Sequence, residues 1–150
     1  MEIDEKILEN LIRKVISEQL GNFRPDETKT IDKKSGVITI KAPAVTTERF
    51  DTGKAGDQVF IKDAVTLEES PRMMFGIMEM KESSAFDWTL GYDEVDYIIE
   101  GTLEITVDGV KSTAGPGEII FIPMNTSVTF STPDSTRFMY VTYPANWSEQ

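Results

Sequence analysis

Glu94 and Asp96 stand two residues apart in the run GYDEVDYIIEG, Gly91 to Gly101, with Tyr92 just ahead of them. Side chains alternate along an extended strand, so Glu94, Asp96 and Ile98 would share one face and Val95, Tyr97 and Ile99 the other. Two carboxyls facing into one barrel repel each other. A cation relieves this, or one carboxyl keeps its proton with a raised pKa. Oxygen ligands alone favour Mg2+, Ca2+ or Mn2+ over zinc or copper, and an oxygen-only Mg2+ site would make Glu94 and Asp96 candidate metal ligands and, with Tyr92, candidate catalytic residues. The alternative is a solvated acidic surface, because Asp87–Glu118 carries eight acids and a single base, Lys111.

The candidates for substrate binding are Trp88, Leu90, Tyr97, Glu79, Tyr140 and Arg137. Trp88 and Leu90 would wall an apolar pocket or simply fill the core. Glu79 lies in Arg72–Met80, a run rich in Met and Phe, where a charge needs a partner. Arg72 or Arg137 could supply it. Tyr140 and Tyr143 offer hydroxyls from the last apolar run, where core packing would explain them equally well. There is no P-loop and no other Gly-rich loop ending in Gly-Lys-Ser/Thr, and Lys62, Arg72, Lys81 and Arg137 are the basic residues nearest the apolar runs.

Composition narrows the chemistry. The 150 residues include no histidine and no cysteine, so histidine-bound transition metals, thiolate ligands and disulfides are excluded. The formal charge of −11 argues against nucleic acid and acidic membranes as partners. No apolar run is long enough to span a bilayer, and the N-terminus lacks the pattern of a secretion signal, so a cytoplasmic protein is expected.

The elements that must hold these residues are short. Ile3, Ile7, Leu8, Leu11, Ile12, Val15, Ile16 and Leu20 form an apolar stripe at helical spacing, which predicts an amphipathic helix over residues 1–21. Glu2, Asp4 and Glu5 near its start and Arg13 and Lys14 further along match the helix dipole, and Gly21 is a plausible stop. Residues 22–36 are polar and aperiodic and read as a linker. From Val37 the texture turns to β runs: Val37–Lys41, Val59–Lys62, Arg72–Met80, Glu94–Glu100, Thr102–Val107, Glu118–Ile122, Ser127–Ser131 and Thr136–Tyr143. Gly and Pro turns between strands, with no intervening helices, predict an antiparallel sandwich or barrel over 37–150.

Two segments, Asp87–Gly109 and Gly115–Phe130, resemble the two motifs of the cupin superfamily. Glu94 and Gly101 keep the glutamate-to-glycine spacing of the first motif, and Gly117 and Pro123 the frame of the second. Trp88, Leu90 and Val128 occupy the usual histidine positions, and Asn125 stands where glycine is usual. The resemblance implies an all-β cupin barrel (a double-stranded β-helix, or jelly-roll) whose histidine metal site has been lost, preceded by the amphipathic helix.

Over roughly residues 37–150 the runs WTLGYDEVDYIIEGTLEI and FIPMNTSVTFSTPDSTRFMYVTYPANW look like the EutQ family of ethanolamine utilisation. That resemblance implies a place in the bacterial microcompartment pathway and an acetate kinase activity using Mg2+ and ATP. A cupin that binds or assembles without catalysis is the competing reading. Longer members carry a larger N-terminal region than the 36 residues here. The resemblance also implies a homodimer paired through its sheets. Residues 1–21 would target the microcompartment shell or other ethanolamine-utilisation proteins, or pack on the barrel or on a second subunit.

Overall fold

The computed structural model describes residues 5–19 and 28–149. The chain divides into two compact units, Met1–Ala44 and Val45–Gln150.

In the first unit, helix α1 spans Glu5–Gln19, and Ile7, Leu8, Leu11, Ile12, Val15 and Ile16 are exposed along it. Glu5 lies in the first turn, where the helix dipole favours a negative charge. Arg13 and Lys14 stop short of the last turn, which carries no base, and Arg13 instead pairs with Glu9 one turn back at 2.9 Å. Ile3, Leu20, Gly21, Glu2 and Asp4, also expected to shape this helix, lie outside the described residues.

The stretch read as a linker contains a strand. Strand β1 (Lys29–Ile31) pairs with β2 (Ile38–Ile40) in a two-stranded antiparallel sheet. The intervening turn is held by Asp32, whose carboxylate accepts from the Ser35 hydroxyl and the Lys34 amide. A three-residue strand with mostly exposed side chains leaves no periodicity to read. The second unit begins at Val45, eight residues beyond the expected barrel start at Val37.

That unit holds ten strands: β3 Glu48–Arg49, β4 Gln58–Asp63, β5 Met74–Lys81, β6 Ala85–Leu90, β7 Asp93–Gly101, β8 Leu103–Val107, β9 Val110–Ala114, β10 Ile119–Ile122, β11 Thr126–Ser131 and β12 Thr136–Tyr143. A six-stranded sheet runs in the order β10-β7-β12-β5-β4-β3 and a four-stranded one in the order β6-β11-β8-β9, with antiparallel neighbours throughout. Strand alternation sends Val59, Met80, Ile98, Phe138 and Leu103 into the core, all fully buried. The predicted strands are present in this unit within two residues at each end. Strands β3, β6 and β9 were not foreseen. Four of the five β9 side chains are exposed, so it lacks the apolar alternation that marks a strand.

Two turn positions explain residue choices in the sequence. Gly101 has φ +72°, and an added Cβ would lie 2.0 Å from the Ser135 carbonyl oxygen, so only glycine fits. Asn125 adopts φ +65°, a left-handed conformation that asparagine tolerates better than other side chains do.

Candidate functional site

Strand β7 presents its residues as the alternation predicts. Glu94, Asp96 and Ile98 are buried, whereas Val95 and Ile99 are half-buried and Tyr97 is 40% exposed on the opposite face. Across the ladder on β12, Thr142 stands opposite Glu94 and Tyr140 opposite Asp96. These four side chains make a polar strip on an otherwise apolar inner face.

Asp96 is wholly buried, and both of its carboxyl oxygens lack a hydrogen-bond donor among the described residues. Glu94 is 6% exposed. Burial first, and the neighbouring Glu94 second, hold the Asp96 carboxyl well above its usual range, while burial lifts Glu94 to about 7. A buried carboxyl without a donor satisfies itself most simply by keeping its own proton. Asp96 then donates to the Glu94 carboxylate, and the pair shares one proton at neutral pH.

Glu94 opens onto a cavity lined by aromatic and apolar side chains, among them Phe50, Phe86, Trp88, Phe130 and Trp147, together with Tyr92, Tyr140 and Thr142. Its volume is about 20 Å3, room for one or two waters at ~10–15 Å3 each. Hydrogen bonds fix its rim. The Trp88 indole donates to the Tyr92 hydroxyl at 2.8 Å. The Tyr140 hydroxyl donates to Asp63 at 2.5 Å, and the Trp147 indole reaches the same oxygen at 3.2 Å. Burial, and then the neighbouring acids, push both phenols above their ordinary range, so both stay protonated donors. Gly76 on β5 makes this possible. An added Cβ there would lie 2.3 Å from the Tyr140 hydroxyl and 2.2 Å from the Lys62 carbonyl oxygen.

The structure thus gathers Glu94, Asp96, Tyr92, Trp88 and Tyr140, and separates the other candidates from them. Leu90 is fully buried core, and Val128, which pairs with Trp88 across β6 and β11, is buried as well. Tyr97 faces outward, because odd positions of β7 point away from the cavity. Glu79 and Arg137 face each other across β5 and β12 as an ion pair, joined by Thr47, Lys81 and the Val45 carbonyl, and do not line the cavity. Sequence reasoning missed Phe50, Trp147, Thr142 and Asp63. The signal available was that Trp88 and Trp147 are the chain's two tryptophans.

The cavity does not fit a hydrated Mg2+. The ion keeps octahedral oxygen coordination and most of its waters. Two carboxyls and room for one or two waters fall short of this, and among the described residues no three or more acidic, His or Cys side chains gather around a common point. Nor does a polyphosphate fit, because no Lys or Arg is among the lining residues. Cations do occur beside the cavity. Phe50 also borders an open cleft of about 580 Å3 formed by Arg49–Asp57, a loop with Arg49, Lys54 and the positive-φ Gly53 and Gly56.

A jelly-roll of this topology, with Glu94, Gly101, Gly117 and Pro123 in frame and Trp88, Leu90 and Val128 at the histidine positions, defines a cupin without the histidine metal site. The chain belongs to the EutQ family of ethanolamine utilisation proteins, whose model matches residues 3–149. It is 49% identical to the Clostridioides difficile protein named Acetate kinase EutQ, over 99% of this chain and 96% of that one. It is 37% identical to the Salmonella typhimurium protein of the same name, and there the match spans 95% of this chain and 63% of the longer relative. The solved C. difficile EutQ structure matches with TM-score 0.78 and 53% identity, covering 81% of this chain and 90% of that one. The cupin domain of Schizosaccharomyces pombe Cnp3 matches with TM-score 0.59 at 12% identity, covering 81% of this chain and 88% of that chain, which supports the fold alone.

Proposed function

We propose that the protein serves ethanolamine utilisation as an acetate kinase, transferring a phosphoryl group between ATP and acetate beside the Glu94 cavity. A new acetate-oxygen-to-phosphorus bond would form as the bond between the γ-phosphorus and its bridging oxygen breaks. The observation that carries this reading is the 49% identity along nearly the whole of a relative named for that activity. The geometry supports a division of labour. The open Arg49–Asp57 cleft carries two cations, Arg49, which holds the Asp57 carbonyl, and Lys54, 3.8 Å from the Asp57 carboxylate: these would turn to meet phosphates, and Asp51 would offer an oxygen to Mg2+. Phosphoryl transfer of this kind depends on positioning and charge more than on covalent chemistry, so a P-loop is not required. Coupled detection of ADP from ATP, acetate and Mg2+ should give turnover in the full chain. It should fall at least tenfold in Lys54→Ala, which sits on an exposed loop. No turnover from the folded, Mg2+-replete chain would refute the kinase reading.

A second reading is favoured by a cavity lining that carries no Lys or Arg among the described residues: a cupin that acts as a binding or assembly module in the cytoplasmic microcompartment. Two surfaces support assembly. The apolar stripe of α1 would carry the chain to the shell. On the outer face of the six-stranded sheet, Tyr97, Ile119 (65% exposed) and Phe121 (60%) lie beside Val95, Met139 and Val141 and would pair two copies as a homodimer. Deleting residues 1–21 should therefore abolish co-purification with shell particles yet leave a species of twice the chain mass by light scattering. Unchanged co-purification would discard the helix as the targeting segment, and a monomer would discard the sheet-face dimer.

A further inference from the structure

Two polar groups of the inner cavity lack what would satisfy them. Thr142 lines the cavity at 1% exposure, and its hydroxyl has no hydrogen-bond partner among the described residues. It stands directly opposite Glu94 on the β7–β12 ladder. Glu94 carries the charge that remains once Asp96 keeps its proton, and no Lys or Arg among the described lining residues balances it. A buried hydroxyl without a partner and a buried carboxylate without a counter-ion each cost stability unless a ligand meets them.

The space sets the size of that ligand, since about 20 Å3 holds one or two waters. Water alone would satisfy Thr142 and leave the carboxylate charge unbalanced. An anion would meet an acid and ring faces of its own sign. Sodium or potassium would need a shell of oxygens, yet most of the wall is apolar or aromatic, with Phe86 stacked on Phe130 at 5.1 Å. Ammonium is the size of water, carries a single positive charge and points its N–H donors tetrahedrally. Glu94 and Thr142 can each accept one, and a ring face such as that of Trp88 can take another. Tyr92 accepts from the Trp88 indole and Tyr140 donates to Asp63, so each phenol oxygen is held in place and keeps a lone pair for a further donor.

We propose that the cavity between Glu94 and Thr142 binds a single ammonium ion, its charge against the Glu94 carboxylate and one N–H on the Thr142 hydroxyl. The ion fills the existing space, so no side chain has to move to hold it. Glu94 must be ionised to bind, so affinity rises with pH through about 7. The other titratable groups facing the site are Asp96, Tyr92 and Tyr140, all of which keep their protons, and Asp63 beyond Tyr140. The proposal does not rest on the kinase reading, since nucleotide chemistry is assigned to the neighbouring cleft.

Both tryptophans of the chain line the cavity, so intrinsic fluorescence reports on it directly. The test is titration of the full chain with ammonium, sodium, potassium and tetramethylammonium chlorides at matched ionic strength, at pH 6 and pH 8, followed by tryptophan fluorescence and thermal unfolding. Ammonium alone should give a saturable fluorescence change at pH 8, with a Kd at least fivefold weaker at pH 6. At saturation it should raise the Tm at pH 8 by at least ~3 °C over potassium. Glu94→Gln should abolish both responses, and Thr142→Val, which keeps the side-chain shape, should weaken binding at least threefold. An equal response to potassium would reduce the effect to screening of the chain's net charge, and an equal response to tetramethylammonium would place it outside the cavity. Either result, the lack of a saturable response, or an ammonium effect that survives in Glu94→Gln would overturn the proposal.

Discussion

Glu94→Gln should melt higher than the parent chain at pH 8 and nearly level with it at pH 4.5. The unfolded chain has Glu94 near its ordinary 4.5, and the folded chain holds it at about 7. A carboxyl whose pKa rises on folding binds its proton more tightly in the native state. Its favourable contribution is therefore complete below pH 4.5 and is lost as pH climbs to 7. Above that the native state carries a buried charge that the unfolded state leaves in water. The interval corresponds to roughly 3 kcal/mol, or a gain in Tm on the order of 5 °C or more for a domain of this size. Glutamine keeps the shape, and its amide can donate to Asp96, whose oxygens otherwise lack a donor. Thermal unfolding followed by circular dichroism at pH 4.5, 6, 7 and 8 checks this. A difference independent of pH, or a loss of stability at pH 8, would mean that the carboxyl is ionised comfortably in the fold. Stabilisation by removing an acid would also show that the buried Glu94 charge is held at the expense of stability.

The sequence disclosed the strand that carries this pair and even its inward face, because two acids at spacing two can be placed by alternation alone. It also disclosed which positions the missing histidines would have held. What it hid was what surrounds the acids. Phe50 and Trp147 lie almost a hundred residues apart, and only the closure of β3 and the C-terminal segment over one end of the fold brings them to Trp88. Thr142 reads as an ordinary strand threonine until its register opposite Glu94 is known. Arg137 was legible only beside Arg72 as a candidate partner of Glu79, and the β5–β12 register decides between them. The charge pair sits on β5 and β12 at a place where polar neighbours outside the cavity complete it. Strand β6 is legible in the alternation of Phe86, Trp88 and Leu90 with Asp87 and Thr89, and it pairs with β11 in that register. The glycine spacing of the loop Thr52–Asp57 matches no phosphate motif, although its Lys54 follows Phe50 of the cavity wall by four residues.

Gly101→Ala should be among the most damaging single-methyl changes in the chain, and Gly109→Ala mild, although both glycines have positive φ, +72° and +80°. Each substitution places an L side chain in the left-handed region, a strain of about 1 kcal/mol or somewhat more. At Gly109 the added methyl meets open space. At Gly101 it meets the Ser135 carbonyl oxygen at 2.0 Å and the Thr136 Cα at 2.9 Å, both backbone. Backbone atoms cannot rotate away as the end of a flexible side chain can. The end of β7 must therefore separate from the start of β12, where Thr136 donates to the Glu100 carbonyl and the Thr102 amide donates to Ser135. The register also shifts here, between Arg137 and Phe138, so little slack is left to absorb the movement. The loss should exceed about 3 kcal/mol, lowering Tm by at least ~10 °C, with the Gly109 variant within ~5 °C of the parent. Because β7 and β12 together carry Glu94, Asp96, Tyr140 and Thr142, the Gly101 variant should also lose the tryptophan environment of the cavity while the Gly109 variant keeps it. Equal losses in the two variants would show that backbone strain alone, and not the packing of strand end against strand start, holds this glycine in place.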